Sequence, residues 1–285
     1  MPNLFTVPGD ALAGYLLATG GVLGWPALAA AGAVLLIYCG GLLLNDYYDR
    51  QVDARERPQR PIPSGDVPAR TVLVAGGLCL VAGAALACAA GHGGAGVTAA
   101  AVAFAAWAYD AGLKRVPWLG PAVMGCCRAG SVLVGGALGG APLGMPVLAV
   151  AGITWAYTTA LTALAAGEAT GERVGRGALV PAGVLLAGGL GLLAVEMPEP
   201  AIGVLALAAL GLGICQAGIA GQTAMRGAVP RPAFIGKLIR VMIPAQAAWS
   251  LWRVRPGTAL PAVLLALFVA LGVGAGLASR RFYGS

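Results

Sequence analysis

Long apolar runs broken by short polar connections dominate this chain. The runs cover residues 10–25, 28–48, 71–90, 95–113, 117–138, 146–167, 177–195, 200–221 and 258–279. Between Ala11 and Asn45 there is no Asp, Glu, Lys or Arg, and comparably clean stretches recur at the roughly 20 residues a helix needs to span a bilayer. In hydrocarbon, backbone polar groups must be satisfied inside the segment or in a closed barrel, and the alternating short strands of a barrel are absent. The pattern therefore predicts an all-α polytopic membrane helical bundle of about nine transmembrane helices. One stretch resists the pattern. Arg231–Trp252 carries Lys237, Arg240, Pro244 and Gln246 among apolar residues, and reads either as an interfacial helix or as a polar tenth span lining a cavity.

Composition agrees with membrane burial: 59% of the 285 residues are hydrophobic and 10% are charged, against roughly 25% charged in soluble domains. The 46 glycines suit lipid, where small residues let helix backbones approach closely. The formal charge of +7 does not point to a nucleic-acid partner once its location is known. Arg50, Arg55, Arg57, Arg60 and Arg70 follow the second run, Lys114 and Arg115 the fourth, Arg173 and Arg176 the sixth, and Arg226 and Arg231 the eighth. The connections near Trp25, His92, Pro142 and Glu196 carry no Lys or Arg, so the even-numbered loops face the cytoplasm by the positive-inside rule. The six cysteines lie in apolar runs without metal-site or disulfide spacing and read as small buried apolar residues. The segment Met1-Pro-Asn-Leu-Phe-Thr-Val lacks the positive start of a secretory leader, so the first helix is expected to be retained. The rhythm of charged connections suggests a single membrane-embedded unit over 1–285, with four-helix halves at 8–138 and 146–255 and a terminal helix at 258–279.

The densest chemistry follows the second run, in Asn45-Asp46-Tyr47-Tyr48-Asp49-Arg50-Gln51-Val52-Asp53. On a helix, Asp46, Asp49 and Asp53 share one face at i, i+3 and i+7. Their mutual repulsion calls for a compensating cation. Mg²⁺ suits a cluster of hard oxygen ligands that must also hold a phosphate. Pairing with neighbouring arginines at a solvated helix end is the simpler alternative. Glu168 and Glu172, one turn apart after the sixth run, could form a facing carboxylate pair or a surface ion-pair ladder. Tyr109-Asp110-Ala111-Gly112-Leu113-Lys114-Arg115 closes the fourth run, where Lys114 and Arg115 could meet a diphosphate or simply set topology. Arg128 is the only basic residue well inside an unbroken apolar run, which makes it a functional candidate unless it pairs with a carbonyl.

The pattern N-D-x-x-D-x-x-x-D over Asn45–Asp53, followed by Arg57-Pro58 and Arg60-Pro61-Ile62-Pro63-Ser64-Gly65, resembles the signature of the UbiA superfamily of intramembrane prenyltransferases. Asn3, the Tyr109-to-Lys114 loop and the acidic pair after the sixth run fall where that family has its other motifs. Two departures stand out. Glu168 and Glu172 replace aspartates, and four residues, where many members have three, separate Tyr109 from Lys114. With Met124-Gly125-Cys126-Cys127-Arg128, these features resemble an EboC-like branch in bacterial secondary-metabolite clusters, which implies a bacterial cell membrane.

The resemblance implies Mg²⁺-dependent transfer of a prenyl group from a polyprenyl diphosphate to a small-molecule acceptor, with an aromatic one among the options. It implies Asp46, Asp49, Asp53, Glu168 and Glu172 as metal ligands. Asp46, Asp49, Asp53 and Lys114 become the catalytic set, and Asn45, Arg57, Tyr109, Lys114, Arg115 and Arg128 the substrate-binding set. Membrane lipid would receive the prenyl tail. The rival is a non-catalytic carrier that binds prenyl phosphate without turnover. An ion-coupled transporter fits less well, because the acids sit at helix ends and not at mid-depth.

Overall fold

The computed structural model describes residues 2–91, 93–140, 143–166 and 175–282. A short 3-10 helix, Pro2–Thr6, leads into ten α-helices: α1 Val7–Thr19, α2 Trp25–Glu56, α3 Ala69–Ala90, α4 Gly93–Ala111, α5 Leu119–Leu138, α6 Met145–Ala166, α7 Val180–Val195, α8 Pro200–Met225, α9 Arg231–Leu251 and α10 Leu260–Phe282. Among the described residues, seven segments are long and apolar enough to cross a membrane by length and composition; α1, α4 and α9 are not among them. This is an integral membrane protein.

The described residues hold ten α-helices, one more than the nine apolar runs, because Arg231–Leu251 forms a largely buried helix of its own within the bundle. Arg231 donates to the Leu164 carbonyl at 3.1 Å, placing the start of α9 beside the end of α6. At the far end, Arg253 grips both oxygens of Glu196 at 2.5 and 2.6 Å and donates to the Leu17 carbonyl at 2.8 Å. The Glu196 hydrogen bonds raise the guanidinium pKa above its ordinary value. This pairing neutralises Arg253 at the end of α9. The buried face of α9 packs against α1, α6 and α8, and α10 lies outside it.

α1 ends at Thr19, well short of the expected residue 25. Gly20 and Gly21 adopt φ values of 66° and 82°, and the Gly21 N–H returns to the Leu16 carbonyl at 2.8 Å, closing the helix. The glycine pair had read as apolar continuity. Three of the cysteines, Cys88, Cys126 and Cys215, are exposed on outer helix faces and not buried as expected, and all six are free.

Small residues govern packing. A Cβ on Gly83 would lie 2.7 Å from the Ala33 carbonyl, and one on Gly40 2.8 Å from the Gly76 carbonyl, so α2 and α3 meet backbone to backbone. Gly14 and Gly135 do the same for α1 and α5, facing the carbonyls of Val132 and Ala11. Gly135→Leu should therefore force these helices apart, at a cost of about 1–3 kcal/mol or more. Thermal unfolding in detergent should show a lowered midpoint, and an unchanged one would refute this contact.

α2 decides where the chemistry sits. Its 32 residues make a rod of about 48 Å, against a hydrocarbon core of about 30 Å. Counted from Trp25, the core is exhausted near Asn45. By that count Asp46 and the residues after it on this unbroken helix would stand past the hydrocarbon.

Candidate active site at the charged end of the bundle

The last three turns of α2 carry Asp46, Asp49 and Asp53 on one stripe, as the spacing predicts. Each carboxylate meets a cation. The loop after α2 folds back through hydrogen bonds from Arg60 N–H to the Arg57 carbonyl (3.0 Å) and from Ser64 N–H to the Arg60 carbonyl (2.9 Å). It delivers the Arg60 guanidinium to Asp46 at 3.2 Å and Asp53 at 2.8 Å. Lys114, in the 3-10 turn Leu113–Arg115 after α4, reaches Asp49 at 2.7 Å and Asp110 at 3.6 Å. Asn45 donates to Asp110 at 3.0 Å, tying α2 to α4. A second tie joins the same helices, from the Trp107 indole N–H to the Tyr48 hydroxyl at 3.0 Å.

Four carboxylates thus face two cations, leaving two negative charges uncompensated. That deficit and the all-oxygen donor set fit one divalent hard cation. Among the described residues no three acidic, His or Cys side chains converge on a single point. The fit is therefore to an ion held by one or two α2 carboxylates and completed by substrate oxygens and water, which is the habit of Mg²⁺. Glu168 and Glu172 lie outside the described residues, as does the side chain of Asn3.

An apolar pocket of about 150 Å³ opens directly beneath this cluster. Asn45, Tyr109 and Asp110 form its polar rim, and its walls descend along Val34, Ile37 and Gly41 of α2, Val102 and Ala106 of α4, and Met124 and Cys127 of α5. Arg128 stands at its inner side, but not as a free cation. It pairs with Asp10 at 2.8 Å and donates to the Thr6 carbonyl at 2.9 Å, while Gln246 donates to the same carbonyl and to Asp10, both at 2.6 Å. This knot joins α1, α5 and α9, so the guanidinium read as a substrate contact is engaged in holding the bundle together.

Arg57 and Arg115 are exposed and lie off the carboxylate stripe, whereas Arg60 and Asp110 occupy it. Their signals were present in the sequence. Asp110 stands one helical turn before Lys114, a spacing that favours ion pairing. Asp10 is the sole acid of the first apolar run, as Arg128 is the sole base of the fifth.

A sequence model of the UbiA prenyltransferase family matches residues 10–168, more than half of the chain. The chain belongs to this family. A digeranylgeranylglyceryl phosphate synthase from Methanoculleus marisnigri is 35% identical over 156 residues, which cover 53% of each chain. The bacteriochlorophyll synthase 33 kDa chain of Cereibacter sphaeroides is 39% identical over 126 residues, 41% of each. This UbiA-family chain spans about half the length of the curated relatives it matches. Among solved structures, an apo UbiA homologue from Aeropyrum pernix superposes with a TM-score of 0.66 at 18% identity, over 86% of this chain and 96% of that one. A UbiA homologue from Archaeoglobus fulgidus bound to DMAPP and Mg²⁺ gives a TM-score of 0.51 at 15% identity, over 96% of this chain and 95% of that one. At such identities the superpositions establish the shared fold.

Proposed function

We propose that this chain is a Mg²⁺-dependent intramembrane prenyltransferase that moves a prenyl group from a prenyl diphosphate to a small-molecule acceptor. The observation that carries the reading is the direct junction of the carboxylate cluster with the apolar pocket below it. A prenyl diphosphate has the matching division, with an anionic head and an apolar tail. Both halves of that ligand would be satisfied at once, the head at Asp46–Asp53 and Lys114, the tail along Val34, Ile37, Val102 and Ala106.

Mg²⁺ held by one or two of Asp46, Asp49 and Asp53, with Glu168 and Glu172 as further proposed ligands, would supply positive charge opposite the leaving diphosphate. The chain's own groups do the remaining work. Lys114 places a second positive charge beside the departing oxygens as the allylic C–O bond breaks and its electron pair leaves with the diphosphate. Asn45 fixes Asp110, which in turn holds the Lys114 ammonium in position. The apolar walls keep water from the prenyl cation until the acceptor attacks. The charged end would face the cytoplasm, consistent with its concentration of Arg and Lys.

Protein reconstituted in lipid and given a prenyl diphosphate with Mg²⁺ and candidate acceptors should release diphosphate and form a prenylated product. Lys114→Gln should slow that release by about 10²–10³. A protein that binds prenyl diphosphate tightly yet forms no product with any acceptor would establish the carrier reading instead.

A further inference from the structure

A groove of about 660 Å³ lies between α8, α9 and α10, on the other side of α9 from the Asp10–Arg128 knot and away from the carboxylate cluster. Its size falls within the ~300–1,000 Å³ typical of ligand cavities. Leu212 and Ile219 of α8 and Phe268 and Val273 of α10 give it apolar walls, and its polar groups are Gln216, Lys237 and Arg240. The two cations stand at i, i+3 on α9, side by side on one face. None of the ion pairs among the described residues includes either of them, and α8, α9 and α10 contain no Asp or Glu at all.

Depth makes this costly. Arg240 lies nine positions beyond Arg231, or about 13 Å from the charged end at ~1.5 Å per residue. A lysine at the shallower position 237 can extend toward the headgroups, but a guanidinium at that depth normally has an anionic partner or a water-filled cavity. Among the described residues no acid stands there, which leaves the groove to a counter-charge from outside the chain. Basic pockets between transmembrane helices are the usual receptacles for anionic lipid headgroups. The groove also sits at the least anchored helix, since α10 packs mainly on α9 and on the Pro2–Thr6 segment.

We propose that this groove binds an anionic phospholipid from the leaflet at the charged end. Lys237 and Arg240 hold the phosphate, Gln216 contributes a hydrogen bond, and an acyl chain runs along Leu212, Ile219, Phe268 and Val273. The lipid bridges α8 and α10 and fastens the terminal helix to the bundle.

Native mass spectrometry of the protein released from nanodiscs of equimolar phosphatidylglycerol and phosphatidylcholine tests this. The wild-type protein should retain phosphatidylglycerol selectively, and Lys237→Gln/Arg240→Gln should weaken that retention roughly thirtyfold, the effect of two basic residues near a lipid headgroup. Arg240→Lys, which keeps the charge, should retain most of it. An unchanged melting midpoint of the double variant in pure phosphatidylcholine shows that it folds; if it does not fold, the single Lys237→Gln and Arg240→Gln variants carry the test, each with about fivefold weaker retention. Equal retention of the two lipids, or undiminished retention in the charge-removed variants, would overturn the proposal. So would inorganic phosphate competing as well as the lipid, because the acyl chain would then contribute nothing.

Discussion

Asp49→Ala is expected to cut Mg²⁺-dependent diphosphate release by roughly 10³ or more, while expression and detergent stability stay near wild type. Asp49 is half-buried at the projecting end of α2, and among the described residues its ion-pair partner is Lys114, so its removal opens no cavity in the bundle. It does remove a hard-oxygen donor from the centre of the stripe and the nearer of the two carboxylates that hold Lys114, leaving the ammonium to Asp110 alone among its ion-pair partners in the described residues. Two effects then act together: a weaker hold on the divalent ion, and a lysine drawn away from the leaving group. Asp49→Asn separates them, because it keeps the shape and one oxygen while losing the charge. Residual turnover should rise with added Mg²⁺ in Asp49→Asn more than in Asp49→Ala. Diphosphate release followed by a coupled phosphate assay is the measurement. Wild-type rates in Asp49→Ala would remove the cluster from the mechanism.

The largest expected loss of stability lies elsewhere, at the knot of Asp10, Arg128 and Gln246. Asp10 is 2% exposed, and its carboxylate pairs with the Arg128 charge and accepts a hydrogen bond from Gln246. Arg128→Ala leaves that charge buried and half-satisfied, at a cost of about 3–5 kcal/mol. Removing both charges together, as Asp10→Leu/Arg128→Met, should restore most of the loss, since an apolar pair of similar volume needs no desolvation. Unfolding midpoints of Asp10→Leu, Arg128→Met and the double variant form the cycle that measures the coupling. The same series decides how Arg128 is used. Under a purely architectural role, the double variant regains stability and activity together. A variant that regains stability and remains inactive would return Arg128 to the substrate-binding set, where the sequence had placed it.

Much of the fold was legible because lipid leaves the backbone few choices. Every apolar run became a helix, and the acidic stripe fell on one face because α2 continues as a single helix through the motif. The errors have local causes. α1 closes early because Gly20 and Gly21 take left-handed backbone conformations, whereas hydropathy registers them only as small residues. α9 was hard to place because its cations belong to a groove and its far end to the Arg253–Glu196 clamp, and both depend on residues distant in sequence. At the site, Asp46, Asp49 and Asp53 share one helix face and Asp49 meets Lys114, all from the expected set, whereas Arg60 and Asp110 were not in it. Arg57 and Arg60 are equivalent in composition, and only the fold-back of the loop after α2 selects Arg60. Pairing across α2 and α4, or across α1 and α5, is a property of the closed bundle and has no signature within either segment.

The length of α2 has a chemical consequence under the proposed reaction. A rod longer than the oily layer is thick lets one amphiphilic reagent lie in both media at once, its isoprenoid among hydrocarbons and its diphosphate at the watery boundary, so that the bond to be broken sits where the two meet.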